Sequence, residues 1–373
     1  MKVYFDNAAT TRIHESVLAE MMPFLTENFG NASSIHEYGR KAKSAIEKSR
    51  KIVAKYLNAS TAEIFFTSCG TESNNMVIKE SIYSLGVKRI ITAPIEHHCV
   101  LHSVNTMKNR GIETALLSVN EHGEINLEEL EHKLSSSSEK TLVSLMHANN
   151  EIGIINDIDA ISNLCRKYNA LFHSDTVQTI AHFPFDLQKI QLDFISGSAH
   201  KFHGPKGIGF VYINSKNTLH PFIDGGAQER NMRAGTENVA GIIGLGAALE
   251  LWMNNMEQYK FHISSLKSYM IEKLKSEISN VSFNGRTDEK SLYHVLSVSL
   301  PANNKTDLLL FNLDIKGICA SGGSACASGS VQASHVMEAI NAPHDRRTAR
   351  FSFSIFNTKE EIDFTVACLK EMV

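Results

Sequence analysis

Residues 194–209 read FISGSAHKFHGPKGIG. An apolar start, Phe194 and Ile195, gives way to the small residues Ser196, Gly197 and Ser198. His200 and Lys201 follow, then a glycine-rich turn. This is the pattern of a buried strand ending in a loop, and open α/β sheets bind ligands where their strands end. A lysine presented there among small residues can condense with an aldehyde cofactor, if it is desolvated enough to act as a nucleophile. Alone, Lys201 is one lysine among many, and most lysines lie at the surface. Its neighbours decide the reading.

Upstream, FHSDTVQT (172–179) reads as a strand that delivers Asp175 at its C-terminal end. An aspartate there can keep a pyridine nitrogen protonated, which makes the ring an electron sink. Gln178 can donate to a ring oxygen, while the plain alternative for Asp175 is a helix cap. Further upstream, TSCGTESNN (67–75) follows the strand-like EIFFT (63–67) and opens a helix. The N–H groups of a helix N-terminus form a phosphate site. Gly70 permits close backbone approach and Thr71 adds a hydroxyl, although as a lone feature Thr71 serves equally as a helix cap.

The rest of the chain supplies the alternation that makes these strand ends neighbours. Strands are expected at 63–67, 89–92, 141–147, 171–175, 193–196 and 209–213, with helices at 71–84, 98–108 and 158–168. Such βαβ alternation implies a large, mostly parallel sheet domain covered by helices. After Thr236 the pattern changes to a long helical stretch through about 275, read as broken. Strands at 295–300 and 349–354 and helices at 305–313 and 359–372 follow. The expected division is a large unit over 15–255 and a small α+β unit formed by 1–14 with 256–373.

Composition narrows the function classes. The 373 residues carry a formal net charge of -3, with 43% hydrophobic and 21% charged residues. No basic excess suggests direct contact with nucleic acid. No run of about 18 apolar residues suggests a membrane span, and the start MKVYFDNAATT lacks the apolar stretch of a signal peptide. A cytoplasmic protein is expected. Cysteines stand at 69, 99, 165, 319, 326 and 368, with no CxxC pair, which argues against a disulfide framework and a zinc site. Cys319 sits in KGICA and reads as structural, whereas Cys326 sits in SGGSACASGS, where glycine, serine and alanine indicate a mobile loop. A thiol on such a loop can act as a nucleophile and carrier once its thiolate is supported.

Short motifs run in one order from end to end: DNAATT (6–11), FGNASSIH (29–36), TSCGTESNN, EHH (96–98), HANNEIG (147–153), HSDTVQT, SGSAHKFHGPKGIG, MRAGTEN (232–238), SGGSACASG (321–329) and ARFSFS (349–354). Together they resemble the cysteine desulfurases of the NifS and IscS kind, within the class V aminotransferase group. The resemblance implies the fold type I of pyridoxal-phosphate transferases, with pyridoxal 5'-phosphate as cofactor and L-cysteine as substrate. Lys201 would be the Schiff-base lysine, Asp175 the partner of the ring nitrogen and Gln178 that of the ring oxygen. Thr71, Ser198 and His200 would bind the phosphate, with Gly70 at the turn. Thr236 would reach the phosphate of the other subunit's cofactor, implying a homodimer. Asn150 would contact cofactor or substrate, and His97 would stack on the ring and assist proton transfer. Arg350 would grip the substrate carboxylate, with Asn31 in support; read without the resemblance, Arg350 is a solvated arginine.

The implied reaction begins with substrate cysteine displacing Lys201, which then removes the α-proton. Cys326 attacks the substrate sulfur and becomes a persulfide, and alanine leaves. A sulfur-acceptor protein is then needed, either an iron–sulfur scaffold or a tRNA-thiolation enzyme. Three positions depart from the family pattern. Cys69 stands for the usual glycine, Ala333 for a proline, and FSFSIFNT lacks the glycine and basic residue often found there. The chain also ends at Val373, soon after its last helix, where longer relatives carry an extension that helps dock a scaffold. Rival readings are a selenocysteine lyase, a related class V aminotransferase, and a sulfur-relay adaptor that has lost catalysis. The last is disfavoured by the joint presence of Lys201, Asp175 and His97.

Overall fold

The computed structural model describes residues 1–322 and 334–373. Its strands are β1 (Val3–Tyr4), β2 (Ile64–Thr67), β3 (Arg89–Thr92), β4 (Glu113–Leu116), β5 (Thr141–Ser144), β6 (Leu171–Asp175), β7 (Phe194–Ser198), β8 (Gly209–Ile213), β9 (Ser282–Phe283), β10 (Val295–Pro301), β11 (Ile318–Cys319) and β12 (Arg346–Ser352). Seven of them form one sheet in the order β2-β8-β7-β6-β5-β3-β4. The strands β4, β3, β5, β6 and β7 pair in parallel, while β8 is antiparallel to both β7 and β2. The central strands β3, β5, β7 and β8 are buried at every position, as expected of a sheet covered by helices on both faces. This is the large, mostly parallel α/β sheet read from the sequence.

The direction of β2 matters for the site. It opposes β8, which opposes β7, so β2 runs the same way as β6 and β7. The C-terminal ends of all three therefore reach one edge of the sheet. Separate from it are a second sheet, β12-β10-β9, and a parallel pair, β1-β11. The N-terminal arm joins these strands, with Val3 opposite Ile318 of β11 and Asp6 bridged to Ser352 of β12.

Three expectations need correction. The helical stretch after Thr236 is one unbroken helix, Val239–Glu277, of 39 residues. It contains no proline, and its early glycines are used for close packing: Gly244 lies against Met21 and Pro205, and Gly246 against Ser49. Trp252 from this helix is fully buried, its ring parallel to His203 at 6.0 Å between centroids, so the helix supports the loop that carries Lys201. The helix expected at 305–313 begins instead as a tight turn, Thr306–Leu308, and continues as Leu309–Ile315. There the Asn303 side chain accepts from the N–H groups of Lys305 and Thr306 and diverts the first turn. Cys319, read as structural, is exposed, because Ile318 takes the inward face of the short β11 and the alternation turns Cys319 outward. Helices Glu15–Thr26, Glu37–Leu57 and Leu127–Ser135 and the edge strand β4 add to the elements read from sequence. Among the described residues, no helix is long and apolar enough to cross a membrane.

Candidate active site

At the shared edge of β2, β6 and β7 lies a cavity of about 290 Å³. Its lining brings together Gly70, Thr71, His97, Asn150, Asp175 and Gln178 with Ser198, His200, Lys201 and Arg350. They come from several separate elements. Asp175 is the last residue of β6 and pairs in register with Ser196 of β7. Ser198 ends β7, and a single 3₁₀ turn, Ala199–Lys201, then swings His200 and Lys201 over the sheet edge. Gly70 opens the helix Gly70–Tyr83, which follows β2; a Cβ there would meet Val177 at 2.6 Å, so the helix start can approach the β6 loop only as glycine.

Asp175 is buried, and its carboxylate accepts from Asn74 Nδ2 at 2.6 Å and from the Val177 N–H at 3.0 Å. Lys201 Nζ donates to the carbonyls of Ala8 and Ala9 at 2.6 and 2.8 Å. The Ala8 carbonyl also accepts from Gln178 Nε2 at 3.0 Å. The arm is fastened to the lysine loop in turn, because Thr11 donates to the His200 carbonyl through both its N–H and its hydroxyl. Burial holds the His200 imidazole down at about 3, with the neighbouring Lys201 and Lys206 adding to the effect, so it is neutral at physiological pH.

His97 caps the helix His98–Lys108, its Nδ1 accepting from the Cys99 N–H at 3.2 Å. Burial pushes this imidazole below its ordinary range; the Asp175 carboxylate opposes the shift and Lys201 adds to it. The preceding Glu96 is fully buried, and burial raises its carboxyl well above the usual range despite a hydrogen bond from the Met146 N–H at 2.7 Å. Arg350 is 1% exposed, so the solvated alternative does not hold. Its guanidinium donates to Asp6 Oδ1 at 2.7 Å and to the Asn150 carbonyl at 2.9 Å.

Two candidates, Thr236 and Asn31, fall elsewhere. Thr236 lines a separate cavity of about 160 Å³ with Arg233, Gly207 and Glu237. Asn31 is exposed and accepts from the Ser33 N–H at 2.9 Å, closing a local turn. Cys326 and Ala333 lie outside the described residues. The segment's flanks are fixed beside the cavity: Ser321 and Arg350 exchange backbone hydrogen bonds, and Ser334 donates to Glu151. Cys69, the first departure from the family pattern, lines the cavity itself. Sequence reasoning missed Asn74, Cys99, Ala8 and Ala9. All four stand inside or beside motifs already quoted, so the signal was position within the motif rather than residue type. Among the described residues, no group of His, Cys, Asp or Glu is arranged to hold a metal ion.

Comparison with known proteins places this geometry. The Aminotransferase class-V family matches residues 3–364. A cysteine desulfurase IscS of Dictyoglomus turgidum is 42% identical over 100% of this chain and 94% of its own length. One from Clostridium botulinum is also 42% identical, with the same coverage. The chain belongs to the cysteine desulfurase family of class-V aminotransferases. A solved NifS-like protein superposes with a TM-score of 0.92 at 38% identity, covering 100% of this chain and 99% of its own. The family depends on pyridoxal 5'-phosphate, and the residues present fit that group. Among the described residues, the buried Ser198 Oγ and Arg350 Nε have no hydrogen-bond partner, leaving a donor for a phosphate and one for a carboxylate in the lining of a cavity that holds a lysine and an aspartate.

Proposed function

We infer that the protein removes sulfur from L-cysteine, releasing L-alanine and leaving the sulfur as a persulfide on Cys326. The observation that carries this reading is the convergence of Lys201, Asp175, His97 and Arg350 on one cavity, in a chain similar over its whole length to cysteine desulfurases. Bound pyridoxal phosphate supplies an electron sink next to the substrate's α-carbon. The residues of the chain do the rest. Ser198, His200, Thr71 and the start of the helix after Gly70 would hold the phosphate. Asp175, fixed by Asn74, would keep the proton on the ring nitrogen, and Gln178 would face the ring oxygen. Arg350 binds the substrate carboxylate, with Asn150 beside it and Asn31 in support.

Lys201 anchors the cofactor and then takes the proton from the α-carbon, while His97 handles protons at the substrate. The Cys326 thiolate forms a bond to the substrate sulfur as the carbon–sulfur bond breaks. The bonding pair stays with the carbon, which is protonated to complete alanine. No outside oxidant is needed, because sulfur moves between two thiols and the carbon is reduced in the same step.

The wider assignments rest on the same reading. The protein works as a homodimer in which Thr236 reaches the phosphate in the other subunit, consistent with its place outside the main cavity. It acts in the cytoplasm and hands sulfur to an acceptor protein for iron–sulfur assembly or tRNA thiolation, without direct contact with nucleic acid or membrane. The division into units 15–255 and 1–14 with 256–373 places the boundary inside the helix Val239–Glu277, which would tie the two together. The test is direct. Lys201→Ala should lower cysteine-dependent alanine formation at least about 100-fold, the lower end of what a positioned acid–base group contributes. It should also remove the absorbance band of the lysine-bound cofactor. Alanine formation at the natural rate would contradict the assignment.

A further inference from the structure

Along the cavity wall a line of side chains joins Asp175 to His97. Asn74 Nδ2 donates to Asp175 Oδ2 at 2.6 Å and to Cys99 Sγ at 3.2 Å. An amide oxygen against a carboxylate would repel, so the amide orientation is fixed and both N–H groups are used. Cys99 Sγ lies 3.0 Å from His97 Nδ1, the nitrogen that already accepts from the Cys99 backbone N–H. Burial, with Asp175 adding to it, pushes the Cys99 thiol up to about 12. The sulfur therefore keeps its proton and has one donor to give, while the nitrogen it faces must accept.

We propose that Cys99 is a positioning residue for the desulfurase reaction: its thiol, held between Asn74 and His97, keeps the His97 imidazole in the tautomer with its proton on Nε2. The inference rests on the role given to His97 above. A ring with two donors at Nδ1 offers N–H at Nε2 and stays neutral, ready to pass protons rather than to pair with the Asp175 carboxylate. The chain of bonds also couples the ring to the carboxylate through Asn74. Of the charged and titratable groups around His97, Asp175 and Lys201 face it from the strand ends, His335 from the helix His335–Ala339 and His102 from its own helix. Glu96 and His98 flank it in sequence. Substitution of Cys99 leaves all of these in place.

The test uses cofactor-loaded protein labelled with 15N-histidine, with the His97 resonance identified by its loss in His97→Gln. The natural chain should show a protonated Nε2 and an accepting Nδ1. Cys99→Ala removes one donor from Nδ1, so its 15N shift should move and the His97 titration should rise by about 0.5–1 pH unit, the worth of one net hydrogen bond. The acid limb of kcat/KM for alanine formation should move by the same amount. Cys99→Ser, which keeps a donor, should restore both. A proton found on Nδ1 in the natural chain would overturn the proposal, and that measurement needs no variant. Alanine and serine variants indistinguishable from each other, or sulfur from cysteine found on Cys99 itself, would do the same. The tautomer is read without turnover, so alanine formation in the same samples reports on the desulfurase reading separately.

Discussion

A guanidinium buried as deeply as Arg350 needs acceptors, and the protein supplies Asp6 and the Asn150 carbonyl. Its Nε, unpaired among the described residues, has capacity left for a bound carboxylate. Lysine would keep the charge and lose the planar fork. Arg350→Lys should raise KM for cysteine by about 10- to 100-fold, the worth of about 1.5–3 kcal/mol in hydrogen bonds to a charged group. Steady-state kinetics would check this, and an unchanged KM would remove Arg350 from substrate binding. At this scale the sequence was most informative for residues at strand ends. Asp175, Ser198 and Lys201 each come at or just after the end of a strand-like stretch that starts apolar, so the end of the stretch reveals where the side chain emerges. Asn74 and Cys99 were missed because their importance lies in contacts between elements: Asn74 reaches Asp175, 101 residues away in sequence. Asn31 and Thr236 were legible as motif members, but their positions relative to the cavity depend on tertiary placement that no motif encodes.

Among the elements, the strands were read nearly to the residue where runs are short, buried and β-branched, as in β3 and β8. The break expected in the helix Val239–Glu277 shows the opposite case. Glycines at 244 and 246 look like interruptions in a sequence, yet they let neighbouring helices approach closely. A Cβ on Gly246 would lie 2.7 Å from Ser49 Oγ and 3.1 Å from its Cα, in the helix Glu37–Leu57. The backbone atom cannot swing aside as a side chain would. Gly246→Leu should therefore cost about 1–3 kcal/mol through overpacking. Urea denaturation should show a lower midpoint with an unchanged slope. A midpoint equal to that of the natural chain would show that the two helices can part without cost. The edge strand β4, half-exposed along its length, carries too little apolar signal to be read from sequence.

For the whole molecule, function follows from strand direction. Because β2, β6 and β7 run the same way, a helix start, an aspartate and a lysine from distant parts of the chain meet at one edge. The second sheet then brings Arg350 of β12 to the same cavity, and the N-terminal arm places the Ala8 and Ala9 carbonyls beside Lys201. The sequence could announce each part through its motif, while the closure between the two sheets comes only from folding. The central claim is that this cavity passes sulfur from cysteine to Cys326. Mass spectrometry of the cofactor-loaded protein after brief treatment with L-cysteine, without reductant, tests it most directly. One added sulfur atom on the peptide containing Cys326, absent in Lys201→Ala, is the expected result. Alanine released while that peptide stays unmodified, with the sulfur on another cysteine or lost directly as sulfide, would contradict the account.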